Sequence, residues 1–219
     1  MRKLLLFLSI FILLLTTTPL SVLAYNHGDR SRRDVIKERV ENRREKVKEN
    51  IEERRDAAKD RIESRREALK NKLGEFKDRN KAQIAARISE ALNKINDNRV
   101  AAMTRHLNRI EDILARVEEK AADAKADGKD VSTVETEIAD AKRAIETAAT
   151  ALTTQAANDY TLVITDETTV REEAKEMRDK LHSDLKAVHD LVVAARHATG
   201  EALRALYAIV GKGDSENEE

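Results

Sequence analysis

An eleven-residue repeat governs the N-terminal third of this 219-residue chain. The first clear copy runs from Ile36 to Lys46. The second starts at Val47 and carries Ile51, Glu52, Arg54, Arg55 and Asp56. The third starts at Ala58 and carries Ile62, Glu63, Arg65, Arg66 and Glu67; the fourth, from Leu69, keeps Leu73 and Glu75 but loses the double Arg. A partial copy, Arg32-Arg33-Asp34, precedes them. Eleven residues in three turns is about 3.67 per turn, close to a straight α-helix. Ile36/Val40, Val47/Ile51, Ala58/Ile62 and Leu69/Leu73 therefore stay on one side of a helix as a narrow apolar stripe.

The other positions of the repeat are charged at helical spacing. Lys37 reaches Glu41, Glu41 reaches Arg44, and Glu45 reaches Lys48. Each such pair contributes only about 0.2–0.5 kcal/mol, but a series of them supports a helix that buries little. Ser31-x-x-Asp34 has the form of a capping box at its start. The segment reads as a solvated stalk, and its stripe also permits self-association as a nearly straight coiled coil. A third reading is contact with an anionic envelope surface through the Arg pairs Arg32/Arg33, Arg43/Arg44, Arg54/Arg55 and Arg65/Arg66.

Composition narrows the remaining choices. Without a cysteine the chain is neither a disulfide scaffold nor a thiol enzyme. One proline and six glycines argue against loop-rich sheet folds. Aromatic residues are 3% of the chain, so the core must come from Ala, Leu, Ile and Val. Such a core suits closely packed helices and offers little material for a ligand pocket.

The first 24 residues have the layout of an export leader. Arg2 and Lys3 precede the apolar run Leu4 to Leu15, and Val22-Leu23-Ala24 supplies the small residues of a cleavage site. Cleavage after Ala24 is expected, with retention as an anchor the alternative. In both cases the rest of the chain is expected to be extracytoplasmic: secreted, periplasmic or envelope-associated.

From Ile84 the apolar content rises. Ile84, Ile88, Leu92 and Ile95 lead into a heptad seam from Val100 to Ala124. No strong breaker interrupts the helical pattern between Ser31 and Ala126 except Gly74, which predicts one helix on the order of 140 Å long. Asp127-Gly128-Lys129-Asp130 is a turn. Ser132-x-x-Glu135 and Thr169-x-x-Glu172 have the capping-box form for two further helices. The fold class is all-α, with one very long charged helix running into an antiparallel three-helix bundle. The expected divisions are a leader over 1–24, a stalk over 25–80, a bundle over 81–211 and an acidic disordered tail over 212–219. Within the bundle, helices are expected over 81–126, 133–157 and 170–210. The β-branched segment 159–168 is expected to run extended along its neighbours, replacing missing helical turns.

No catalytic, cofactor-binding or metal-binding residues emerge. His182 and His189 share a face but lie about 10 Å apart along the axis. Carboxylates are spread over solvated faces, and no phosphate loop occurs. The Arg pairs lack interleaved aromatics, which disfavours nucleic acid as a partner. The repeat resembles the eleven-residue repeats of desiccation-protective LEA proteins. Leu92 to Lys120 resembles uncharacterised exported helical proteins of small-genome uncultivated bacteria, a likeness that implies no activity. The resulting expectation is a non-enzymatic, exported helical spacer or interaction protein of the cell envelope, without cofactor or specific small molecule. Its alternatives are a binder of anionic membrane or wall polymers through the basic repeat, and an extracellular protectant. Charge supports a division of labour. Residues 29–81 hold 20 basic and 14 acidic groups, whereas residues 82–219 hold 19 basic and 27 acidic. This predicts a polarity along the long helix.

Overall fold

In the computed structural model of the protein, residues 32–211 are described, Arg32 and Arg33 by their backbone alone. The expected leader over 1–24 and the expected tail over 212–219 lie outside the described residues. Four helices and no strand occur among those described: α1 (Arg32–Gly74), α2 (Arg79–Ala126), α3 (Ser132–Ala156) and α4 (Val170–Val210).

The expected continuous helix is broken between Gly74 and Asp78. Gly74 is a weak helix former. Phe76 follows and is buried to 3% exposure among Leu73, Ala82, Ala85, Tyr160 and Leu162. Burying that ring contributes about 1.5–3 kcal/mol, which a straight helix would forgo. Asp78 then caps α2: its Oδ1 accepts from the N–H groups of Asn80 at 2.9 Å and Lys81 at 3.1 Å. Glu167 holds the corner by accepting from the backbone N–H groups of Lys77 and Asp78. The charged helix is therefore a fourth member of the bundle, not a stalk.

Ion pairs give the directions. Arg39 meets Glu118, Arg44 meets Asp112 and Arg55 meets Asp97, so α1 runs antiparallel to α2. Lys125–Glu135 and Asn96–Gln155 make α3 antiparallel to α2 as well. Val170 opens α4 beside Ile84 and Ile88, so α4 runs parallel to α2. The start of α1 and the end of α4 thus lie at one end, and the Gly74–Asp78 corner lies at the other. α1 packs on α2 and α3, and α4 packs on the same two helices without touching α1.

Two apolar clusters fill the interior. The larger joins Val100 to Ala124, Val131 to Ala156 and Val188 to Leu206, with Val47 and Ile51 laid against it. The smaller lies beyond the end of α3, where the extended chain takes over. There Tyr160, Thr161, Leu162 and Ile164 are buried and Val163 alone of the five is exposed, so the extended chain is covered along most of its length. Tyr160 N donates to Asn93 Oδ1 at 3.0 Å, and Leu162 N donates to Ser89 Oγ at 3.0 Å. Side chains of α2 therefore satisfy backbone groups that have no ladder partner.

Turn chemistry differs from the capping boxes read in the sequence. Gly128 has φ +80°, the left-handed conformation that Gly adopts at little cost. Ser132 does not cap α3; its N–H donates to Asp130 Oδ1 at 2.9 Å, while Glu135 pairs with Lys125. Ahead of α4, Asp166 accepts from Thr168, and those bonds lower its carboxyl pKa below the ordinary value.

Candidate interaction surface

The inward side of α1 is built from the repeat arginines. Arg43 and Arg44 converge on the buried Glu111 carboxylate, each at 3.5 Å. Arg44 also donates to the Asn108 carbonyl at 2.6 Å and to Asp112 at 2.7 Å. Burial raises the Glu111 pKa above the usual range, and the two guanidinium groups only partly offset it. Glu118 accepts from Arg39 and lies 3.1 Å from Lys142 on α3.

Lower on α1 the arginines serve the end of α3. Arg55 Nε donates to the Ala156 carbonyl at 3.3 Å, and Arg61 donates to the Ala157 carbonyl at 3.4 Å. These cations meet the negative end of the helix dipole and its unpaired carbonyls. Arg65 lies 3.6 Å from the buried Asp159 carboxylate.

Of the eight arginines expected to meet an anionic surface, four are thus engaged within the chain: Arg43, Arg44, Arg55 and Arg65. Arg54 and Arg66 are exposed along clefts beside α3 and α2, without a salt bridge among the described residues. The side chains of Arg32 and Arg33 lie outside those described. The apolar stripe expected to support self-association is turned onto the chain's own bundle: Ala58, Leu69 and Leu73 are buried, and Val47 and Ile51 pack against the larger core. The outer side of α1 is left acidic. Glu45, Glu49, Glu53, Asp56, Asp60 and Glu63 follow at steps of four and three, and all are exposed.

A buried polar network closes the lower bundle. Gln155 Nε2 donates to Asn96 Oδ1 at 2.8 Å and to the Tyr160 hydroxyl at 2.7 Å. Tyr160 donates to Asp184 Oδ2 at 2.8 Å, which also accepts from Lys180 at 2.5 Å. Burial is the first cause that pushes the Tyr160 pKa up to about 12, with Asp184 adding to it. Every member has a partner, so the network specifies how helices and crossover meet.

The surface left uncovered lies between α2 and α4, away from α1. Ile84 and Ile95 are 52% and 44% exposed, and Ile113 is 44% exposed. With Ile88 and Ala102 they follow steps of four, seven, seven and eleven along one line of α2. At the lower end Ile84 and Ile88 line a groove of about 970 Å³ with Ala174, Arg171, Lys175 and Arg178 of α4. On the other flank of the isoleucine line come Arg87, Arg105, Arg109 and Arg116, all exposed and without a salt bridge among the described residues. The sequence signals this line only as a run of isoleucines; which of them a neighbour covers depends on packing.

Histidine chemistry is local. His106, His182, His189 and His197 are exposed, and His189 lies 3.6 Å from Asp190. No group of three His, Asp or Glu side chains among the described residues is placed to hold a metal ion. No described helix is long and apolar enough to cross a membrane. Comparison of the chain with protein-family models, curated proteins and solved structures yields no match.

Proposed function

We propose that the protein is a non-enzymatic helical interaction protein that is exported by its leader and acts at the cell envelope. The observation that carries this reading is the exposed isoleucine line on α2. Aliphatic side chains at helical spacing, left uncovered beside an otherwise well-covered core, mark a surface that meets something else. The fold favours interaction over spacing. Folding back at Gly74 leaves α2, 48 residues and about 72 Å long, as the longest element. The repeat then serves as an internal clamp whose net positive charge complements the net negative remainder.

Expression of the whole chain in a bacterial host, followed by protease protection and fractionation, tests this reading. The protein is expected outside the cytoplasm in the envelope fraction, and Ile84→Asp with Ile95→Asp is expected to release it without unfolding it. Retention in the cytoplasm would refute export. Equal envelope association of the two chains would refute the interaction surface.

A further inference from the structure

The charges around the isoleucine line say what kind of partner fits it. On one flank stand Arg171, Lys175 and Arg178 of α4, and on the other Arg87, Arg105 and Arg109 of α2. Among the described residues only Arg178 of these six has a carboxylate partner, the adjacent Asp179 at 3.1 Å. Two acids lie at the lower groove, Glu167 and Glu172. Glu167 is already bonded to the backbone of Lys77 and Asp78. The lower groove is therefore an aliphatic cleft with α4 cations on one side and Arg87 on the other, and Arg105 and Arg109 continue the α2 row toward Ile113, even though residues 82–219 as a whole are net acidic.

We infer that this α2–α4 face docks on an anionic lipid bilayer, with the isoleucines entering the interface and the flanking arginines and lysines on lipid phosphates. This inference rests on the proposed interaction role and names its partner. The spread of the cations favours a bilayer over an acidic helix. They stand on two packed helices, with axes roughly 8–10 Å apart, and those of α2 lie on the flank of the isoleucine line away from α4. A helix seated in the groove would leave Arg87, Arg105 and Arg109 without a counter-charge. Length agrees, because Ile84 to Ile113 covers about 44 Å of helix. The acidic outer side of α1 is repelled by the same surface and sets the orientation. With Ile and no aromatic residue in the line, insertion is shallow and binding is reversible and salt-sensitive.

The test uses residues 25–219, which contain the whole four-helix unit, with sedimented vesicles of phosphatidylglycerol and phosphatidylcholine in equal parts. Binding is expected at low salt and is expected to fall at high salt or on pure phosphatidylcholine. Arg171→Gln with Lys175→Gln is expected to lower partitioning on the order of tenfold. Lys46→Gln with Lys59→Gln, which removes equal charge from α1, is expected to leave it unchanged. Circular dichroism of each variant checks that the helices remain. Absence of binding to the anionic vesicles at low salt overturns the inference. So does loss of binding in the α1 variant alone. If Ile84→Gln with Ile95→Gln binds as tightly as the parent, the face is a polyanion site and the bilayer assignment fails. Capture of an acidic amphipathic peptide without vesicle binding overturns the lipid partner while keeping the interaction role. Binding of neither overturns both.

Discussion

Removing one hydroxyl tests how the lower bundle is held. Tyr160→Phe keeps the ring in its fully buried site but deletes the bond to Asp184 and the acceptor for Gln155. Asp184 retains Lys180 and Gln155 retains Asn96, so the loss is placed at the lower end of the 1–3 kcal/mol range, about 1–2 kcal/mol. Urea unfolding followed by circular dichroism near neutral pH measures it. Alkaline pH gives a sharper test. The folded chain holds the Tyr160 proton up to about 12, whereas the unfolded chain releases it near 10. A folded pKa above the unfolded one contributes stability that is complete below 10 and is lost as pH rises through about 12. The loss approaches about 2–3 kcal/mol for the parent protein and is absent from Tyr160→Phe. The gap between the two proteins must therefore close, and then reverse, across that window. Stability curves that fall in parallel would refute the reasoning.

Further outcomes follow from other parts of the fold. Glu111→Gln is expected to raise the urea midpoint near neutral pH. Burial holds the Glu111 pKa above 4.5, so its ionisation costs stability as pH rises above that value, and the advantage should fade on acidification. Equal midpoints at both pH values would refute that account. Hydrogen exchange should show α1 opening before the other three helices, with a gap that widens at high salt; uniform exchange would contradict a charge-clamped α1. Gly128→Ala should cost about 1–2 kcal/mol for its left-handed backbone. Gly200→Ala, inside α4 with open space around the position, should stabilise by about 0.5–1 kcal/mol; thermal melts compare the pair. Leu152→Ala, at a fully buried position of α3, should cost about 2–5 kcal/mol by urea unfolding.

Much of the helix pattern is legible before any coordinates. Apolar positions at steps of three and four from Val100 to Leu206 lie on faces that are buried, because helical period and core contact are the same constraint. The apolar, β-branched run Tyr160-Thr161-Leu162-Val163-Ile164 likewise announces an extended, packed segment, and all but Val163 are buried. The corner at Gly74–Asp78 is hidden because each signal in it is weak alone. A single Gly, a lone Phe and an Asp cap count only together, and only when a core exists for Phe76 to enter. The arginine roles are hidden for a different reason. Within one helix, Arg44 finds Glu41 three residues away, but folding back offers Asp112 and a backbone carbonyl. A sequence lists local partners and is silent about those across the bundle. The docking face shows the same limit, since Leu92 and Ile95 look alike in the chain and only Leu92 is covered.

The corner also dictates how the molecule responds to pulling. Because α1 begins and α4 ends at the same end of the bundle, a force applied between Arg32 and Val210 loads the α1 contacts one after another. Arg39 to Glu118 would give way first, then the Glu111 cluster, then Arg55 and Asp97, with Phe76 at the corner reached last. That is an unzipping geometry, in which few bonds bear the load at any instant and the yield force is low. Tension on the two ends would strip α1 from the bundle while the three remaining helices, joined by their larger core, stay folded. The charged repeat would then behave as a mechanical fuse that lengthens the molecule before its core is strained.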